Sequence, residues 1–468
     1  MKTAVFVSFF RTAAVLMSIA VSASLAAGQG AEPQRTQLLN GLKVIHLHKP
    51  GDQNVLMKLR IHSGAAFDLA GKEGTFALLG DILFPDPNVR EYFTEDMGGR
   101  LNVKTDYDAM TITMQGRAAE FERITEILRT ALVTTELTPE NIAKIREGRI
   151  KVIRETSISP AIVADRAIAA RLFGDFPYGR PHGGTAESLE RVDRADLMLA
   201  RERFLNPNNA TLTIIGGVPP GRAMRALRQL LGIWRKSEQV VPSTFRQPVK
   251  PDPRPLLVSA PGDQSVEIRI AVRGLARRDQ DAIAAALLAQ IARRRWETNL
   301  PELARTPLFV RHDAFSLPGI FLMGTTVDHL LAAKTLSAGQ DILKQLARNP
   351  IPAADLEQAK VDLLAALNKE ASEMDALADA WLDMDTYGVE STPEKIRRLN
   401  AVTPADLQRT AGRLFNDAVA SVVVGNSELV KPQLETLGKV EVMGTVEPKV
   451  ERNADQVKPK PSAATKPE

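Results

Sequence analysis

Few residues in this chain could do metal or nucleophile chemistry. There are six histidines and no cysteine. His46 and His48 alternate in a run that reads as a β-strand, so their side chains share one face. Two imidazoles supply only part of the three or four donors that zinc takes. His62, His182, His312 and His329 stand alone, with no second histidine at helical ligand spacing. There is no Gly-x-Ser-x-Gly turn to expose a serine and no thiol, so two common nucleophile arrangements are excluded. Arg293, Arg294 and Arg295 close an apolar helical run, where positive charge suits a helix C-terminus.

The composition narrows the class. Hydrophobic residues make up 44% and charged residues 25%, as in a folded globular chain. A net charge of +4 over 468 residues, with 5% aromatics, leaves no basic, aromatic-interleaved surface for nucleic acid. The length exceeds one ordinary core and predicts at least two domains. At the N-terminus, Lys2 and Arg11 are the only charges before Glu32, and an apolar stretch from Thr12 to Ala27 closes on small residues. This pattern predicts a secretory signal peptide over residues 1–26, cleaved near Ala26. The stretch is short for a transmembrane span, which needs about 20 residues. No later segment predicts a span. A cysteine-free exported chain suits a bacterial periplasm, with stability coming from its core and not from disulfides.

The elements that would position any site repeat once. Val192-x-x-Ala195-Asp196-Leu197 recurs as Val402-x-x-Ala405-Asp406-Leu407. Asp193 and Thr403 are predicted N-caps of helices running to Phe204 and Phe415, with Pro404 at the favoured first position. Each helix precedes a short β run ending in glycine, Gly216 and Gly425. Upstream, a helix from Thr138-Pro139 through Ala143-Lys144 towards Glu155 is echoed by one starting at Pro352 and running through Ala359-Lys360 towards Glu370. Both echoes lie at offsets of about 210 residues, which predicts an internal duplication. Strands are predicted at 42–47 and 55–61, a helix over 73–84, and a strand pair within 101–114. The fold class is α+β: two duplicated halves, residues 37–234 and 257–442, each with helices on a mixed or antiparallel sheet. Prolines 242, 248, 251, 253 and 255 make 235–256 an extended linker. Residues 447–468, rich in Lys, Pro and Glu, read as a disordered tail.

Several segments, in order, resemble the pitrilysin/insulinase family of zinc metallopeptidases, the inverzincins. They are Asn40-Gly41-Leu42-Lys43-Val44, Gly98-Gly99-Arg100-Leu101-Asn102-Val103-Lys104-Thr105, Pro177-Tyr178-Gly179-Arg180-Pro181 with Gly184-Thr185-Ala186-Glu187, and Asn206-Pro207-Asn208-Asn209 before Ile214-Ile215-Gly216. The resemblance extends over essentially the whole mature chain except the tail. The family carries a His-x-x-Glu-His helix that binds zinc and activates water. The matching stretch here is Gly74-Thr75-Phe76-Ala77-Leu78-Leu79-Gly80-Asp81-Ile82-Leu83-Phe84. Ala77 and Asp81 stand at the two histidine positions and Gly80 at the base. The resemblance makes Glu155 the retained downstream glutamate, and places Pro301 and Phe309 where the second half of active members has a substrate-contacting Arg and Tyr. It implies no catalytic residues and no zinc bound by this chain.

The resemblance therefore implies a non-catalytic subunit, like those of bacterial heterodimeric and mitochondrial-processing-type peptidases. An active zinc-peptidase paralogue would hold the metal. Peptide would add as a strand to a sheet edge, with Asn102 and Phe309 as the candidate contacts. Two alternatives stay open: an assembly protein of an envelope complex, and a hydrolase using other residues.

Overall fold

The computed structural model describes residues 32–238, 245–260 and 264–444. The predicted signal peptide and the tail lie outside them, as does Pro242. The first half contributes β1 (Gln34–Gln37), β2 (Lys43–His48), β3 (Asn54–Ile61), β4 (Arg100–Thr105), β5 (Met110–Arg117) and β6 (Ala210–Gly216). The second contributes β7 (Leu256–Ser259), β8 (Ser265–Arg273), β9 (Leu308–Asp313), β10 (Ile320–Asp328), β11 (Ala420–Gly425) and β12 (Glu441–Met443). The strand orders are β1-β2-β6-β3-β5-β4 and β12-β7-β11-β8-β10-β9.

From the second position onward the two mixed sheets match strand for strand. β2 runs parallel to β6 as β7 does to β11, and the remaining pairs are antiparallel in both. They differ at the outer edge. β1 reaches its place by an antiparallel turn into β2, whereas β12 arrives from the far end of the chain and runs parallel to β7.

The helices that matter to a site are α1 (Thr75–Ile82), α2 (Pro139–Thr156), α3 (Pro160–Phe173), α4 (Arg194–Phe204), α5 (Ala282–Asn299), α6 (Ala353–Ser372), α7 (Met374–Tyr387) and α8 (Pro404–Phe415). The predicted caps form. Asp193 and Thr403 each accept from the third helical N–H in a reciprocal capping box, and Thr138 accepts from Asn141. Pro352 caps α6 from outside. Prolines 248, 251, 253 and 255 lie in extended chain that leads into β7.

One face of each sheet is covered by its own half. On β3, Val55, Met57, Leu59 and Ile61 enter the first core. On β8, Val266, Ile268, Ile270 and Val272 enter the second. The opposite faces are covered by exchange. The first half's α3 packs Ala164, Ile168 and Leu172 on Ala271, Val422 and Val424 of the second sheet. The second half's α7 packs Ala378 against Leu56 and Ile215 of the first. The duplicated halves are therefore clasped, each holding a helix of the other.

Candidate functional site

The helix at the zinc-motif position is built with care. Gly74 takes φ +91° just before α1, and a Cβ there would meet Gly183 O and Gly184 Cα at 2.8 Å. Asp68 accepts N–H bonds from Gly74 at 2.7 Å and Phe76 at 3.0 Å, so a carboxylate sits at the positive end of α1. Its burial raises its pKa to about 7, against the lowering effect of those two bonds. The Gly-Thr-x-Glu block braces the same point. Thr185 caps a short helix, and Ser188 donates to Glu73 O at 2.8 Å.

The chemistry on that helix is closed. Ala77 is buried and has no donor atom. A Cβ on Gly80 would lie 2.9 Å from Val103 Cγ1 and 3.3 Å from Met110 Cε. Val103 of β4 and Met110 of β5 occupy the space a glutamate side chain would need. Asp81 accepts from Arg149 Nη1 at 2.7 Å, and Arg149 Nε donates to Gly183 O at 3.0 Å. The guanidinium thus ties α1, α2 and the Gly183 loop together.

Glu155 does not join this cluster. It lies six residues beyond Arg149 on α2, about 120° round the helix. It is exposed and has no ion-pair partner among the described residues. The residue on Arg149's face at that level is Thr156, seven positions on, and its hydroxyl bonds to Val152 O of its own helix. Asp81 and Glu155, the two carboxylates left at motif positions, are therefore not brought together. Arg149 went unread in the sequence. Its signal was faint: no acid lies three or four residues away on α2, so its partner had to come from another element.

Zinc does not fit these residues. Asp81 is the one donor of the motif, and an arginine holds it. Among the described residues no group of three or more His, Asp and Glu side chains is arranged to hold a metal ion. His46 and His48 share a face of β2 with ring centres 6.5 Å apart. His46 is buried, and desolvation lowers its pKa.

The two proposed peptide contacts sit at corresponding places. Asn102 is exposed on β4 and Phe309 half-buried on β9, and these strands are the outer edges of the two sheets. The edge at β4 is partly covered, since Arg90 donates to Leu101 O at 3.1 Å. Phe309 lies over Gly324 of β10, where a Cβ would collide with its ring. Arg269 and Arg311 approach the ring centre at 5.1 and 4.8 Å, a cation–π stack that already uses its faces. Pro301 opens a 3-10 turn before β9. The arginines ending α5 are paired as well. Arg294 meets Asp362, Arg295 meets Asp355 at 2.9 Å, and Arg293 meets Glu297 at 3.1 Å. They fix α5 to α6.

The Pro-Tyr-Gly segment does structural work between the halves. Tyr178 donates to Asp108 Oδ1 at 2.8 Å and accepts from Leu317 N at 3.1 Å, while Asp108 Oδ2 accepts from Ser316 N at 2.7 Å. This buried node joins the β4–β5 turn to the β9–β10 loop of the other half. Burial raises the pKa of both Tyr178 and Asp108.

Two family descriptions match the chain. "Insulinase (Peptidase family M16)" covers residues 43–186, and "Peptidase M16 inactive domain" covers residues 191–363. A relative in Mycobacterium tuberculosis (strain ATCC 25618 / H37Rv), described as an uncharacterized zinc protease, is 22% identical over 411 residues, 84% of this chain and 93% of the relative. The mitochondrial cytochrome b-c1 complex subunit 1 of Bos taurus is 21% identical over 225 residues, 47% of this chain and 45% of that protein. The crystal structure of a peptidase M16 inactive domain from Pseudomonas fluorescens superposes with a TM-score of 0.75 at 17% identity, covering 85% of this chain and 98% of that one. The chain belongs to the insulinase (M16) peptidase family, as a member without the zinc-binding motif.

Proposed function

We propose that this protein is the non-catalytic subunit of a two-chain peptidase, exported to the periplasm, whose zinc-bearing paralogue supplies the chemistry. The observation that carries this reading is the contrast at α1. The helix has a capping carboxylate, a close glycine approach and a bracing loop, while Arg149 holds Asp81 at a zinc-ligand position and Val103 crowds Gly80 at the base position. A body retained around a closed site fits a role in binding and assembly. Sheet edges at β4 and β9 suit a peptide laid in as an extra strand, where main-chain bonds give affinity with little sequence choice. The basic–apolar–small pattern before Glu32 supports export.

The test is affinity purification of the full chain from the envelope fraction, followed by a fluorogenic peptide assay. The expected result is co-purification of a paralogue with an intact His-x-x-Glu-His helix, whose turnover falls when this chain is removed. A chain that purifies alone and leaves the paralogue's turnover unchanged overturns the reading. The likeness to the bovine b-c1 subunit over about half the chain favours a second reading, an assembly subunit of a membrane-associated complex. A large envelope complex with no peptidase in it would select that one.

A further inference from the structure

A cavity of about 600 Å³ lies behind the Gly183–Gly184 loop, between α3 of the first half and β9–β10 of the second. Its volume is in the range of small-molecule sites. Its wall is largely apolar, with Ile162, Phe173 and Leu322 among the lining side chains. Charged residues also reach it, and nearly all are already paired. Asp165 accepts from Arg269 at 2.6 Å and Asp313 from Arg311 at 2.6 Å. Arg180 donates to Asp68 O at 3.2 Å.

Arg166 is the exception. It lies on α3 in the cavity wall, half-buried, and makes no hydrogen bond or ion pair among the described residues. Desolvation lowers its pKa without any carboxylate to offset it. Its guanidinium keeps contact with solvent, and its forked donors are free to take an anion that brings its own apolar part.

We propose that this cavity binds an apolar monocarboxylate, with the carboxylate on Arg166 and the hydrocarbon against Phe173 and Leu322. Such a group is the free C-terminus of a peptide ending in an aromatic or branched residue, or the head of a fatty acid. The cavity shares the Gly183–Gly184 loop that braces α1 but is lined by no residue of α1 itself.

The test is isothermal titration of the purified full chain with N-acetylphenylalanine, N-acetylphenylalaninamide and decanoate. At least one acid is expected to bind, with the amide about tenfold weaker than N-acetylphenylalanine or more. Arg166→Gln should reduce acid binding by a similar factor. This variant removes a partly exposed, unpaired side chain, and circular dichroism checks that it folds. A second variant, Ala169→Trp, fills the cavity with Arg166 intact and should abolish binding. The tighter acid identifies the source, peptide or lipid, and either supports the site. Amide binding equal to acid binding, full binding by Arg166→Gln, or no binding by either acid at millimolar concentration overturns it.

Discussion

The two exchanged helices do the same job with different forces. On the first sheet, α7 is held by charge. Lys58 meets Asp379 at 2.7 Å and Asp375 at 3.1 Å, and Arg60 meets Asp379 at 3.1 Å and also Asp383. Lys43 reaches Asp385 at 2.9 Å, and Arg277 of the second half reaches Asp383 at 2.8 Å. On the second sheet, α3 is held mainly by apolar packing, with ion pairs at two places: Asp165 with Arg269 at 2.6 Å, and Arg171 with Glu441 of β12 at 3.0 Å. The registers make Lys58 and Arg269 counterparts. Each lies three residues beyond the valine that faces the closing glycine of the neighbouring strand, Val55 with Gly216 and Val266 with Gly425. At corresponding positions, one half surrounds its buried base with a charged network and the other with a small cluster inside an apolar seam.

Removing the acids from α7 is expected to have the largest effect. The side chains of Lys58 and Arg60 are only 4% and 9% exposed. In Asp379→Ala/Asp383→Ala, Arg60 keeps just Thr111 Oγ1 at 3.2 Å. A buried base left unpaired costs about 3–5 kcal/mol, read by urea denaturation. Adding Arg60→Met should recover most of that loss, because no uncompensated guanidinium remains there. A double variant within about 1 kcal/mol of wild type would show that the charges are ornamental.

The apolar clasp should break by cavity formation. Ile168 is 1% exposed between α3 and the second sheet. Ile168→Ala is expected to cost about 2–4 kcal/mol. The cost should be the same in 1 M salt, since no charge is involved, whereas the α7 variants should respond to salt through their part-exposed acids. Equal salt responses would erase the distinction.

This contrast was only partly legible in the sequence. The repeat, the caps and the strands follow from local rules, since cap residues, a first-turn proline and a period of two act within a few positions. The clasp does not. Lys58 and Arg60 alternate with apolar residues and read as the solvent face of a strand, yet both are buried under a helix more than 300 residues away. A clue existed in Asp375, Asp379 and Asp383, spaced four apart on one helical face with no base beside them. At the pseudo-site, the positions of Ala77, Gly80 and Asp81 could be read from the motif. Arg149 could not, because its partner lies 68 residues off and only the helix packing brings them together. Glu155, the glutamate the resemblance retains, projects about 100° round the helix from Thr156 and so away from the face that carries Arg149.

Acid should loosen the charged clasp first. His62, just after β3, is within 3.0 Å of Thr211 Oγ1 and 3.7 Å of Asp385 on α7. Burial lowers its pKa to about 4, below its ordinary value near 6.5. The fold therefore favours the neutral ring. Its contribution to stability is fully present above about pH 6.5 and is lost as the pH falls towards the folded value, because the unfolded chain takes up the proton first. Hydrogen exchange, corrected for intrinsic rates, should show α7 losing protection between pH 7 and pH 5 while α3 keeps its own. His62→Gln should flatten that dependence. His312 on β9, also lowered to about 4, adds a global slope that the variant leaves in place. Parallel loss in α3 and α7 would mean that acid acts on the whole fold and not on the clasp.

The smallest effect belongs to Asp165→Ala, and it tests the comparison most directly. Asp165 is the counterpart of the α7 acids, pairing with Arg269 at 2.6 Å across the halves. Arg269 is as buried as Lys58, with 4% of its side chain exposed. Burial alone would therefore predict a large loss. Arg269 has two other acceptors on its own strand, Glu267 at 2.8 Å and Ile268 O at 3.0 Å, so its charge stays compensated when Asp165 is gone. Glu267 is itself fixed by Thr326 Oγ1 at 2.7 Å. Asp165 is half-exposed, which weakens its share further. The expected cost is at most about 1 kcal/mol, a small fraction of that for the α7 pair. Removing Glu267 as well, in Asp165→Ala/Glu267→Gln, should raise the loss sharply, by more than the two single losses together. If Asp165→Ala alone matched the α7 double variant, the second clasp would be ionic after all, and the aliphatic seam around Ile168 would be filler around it.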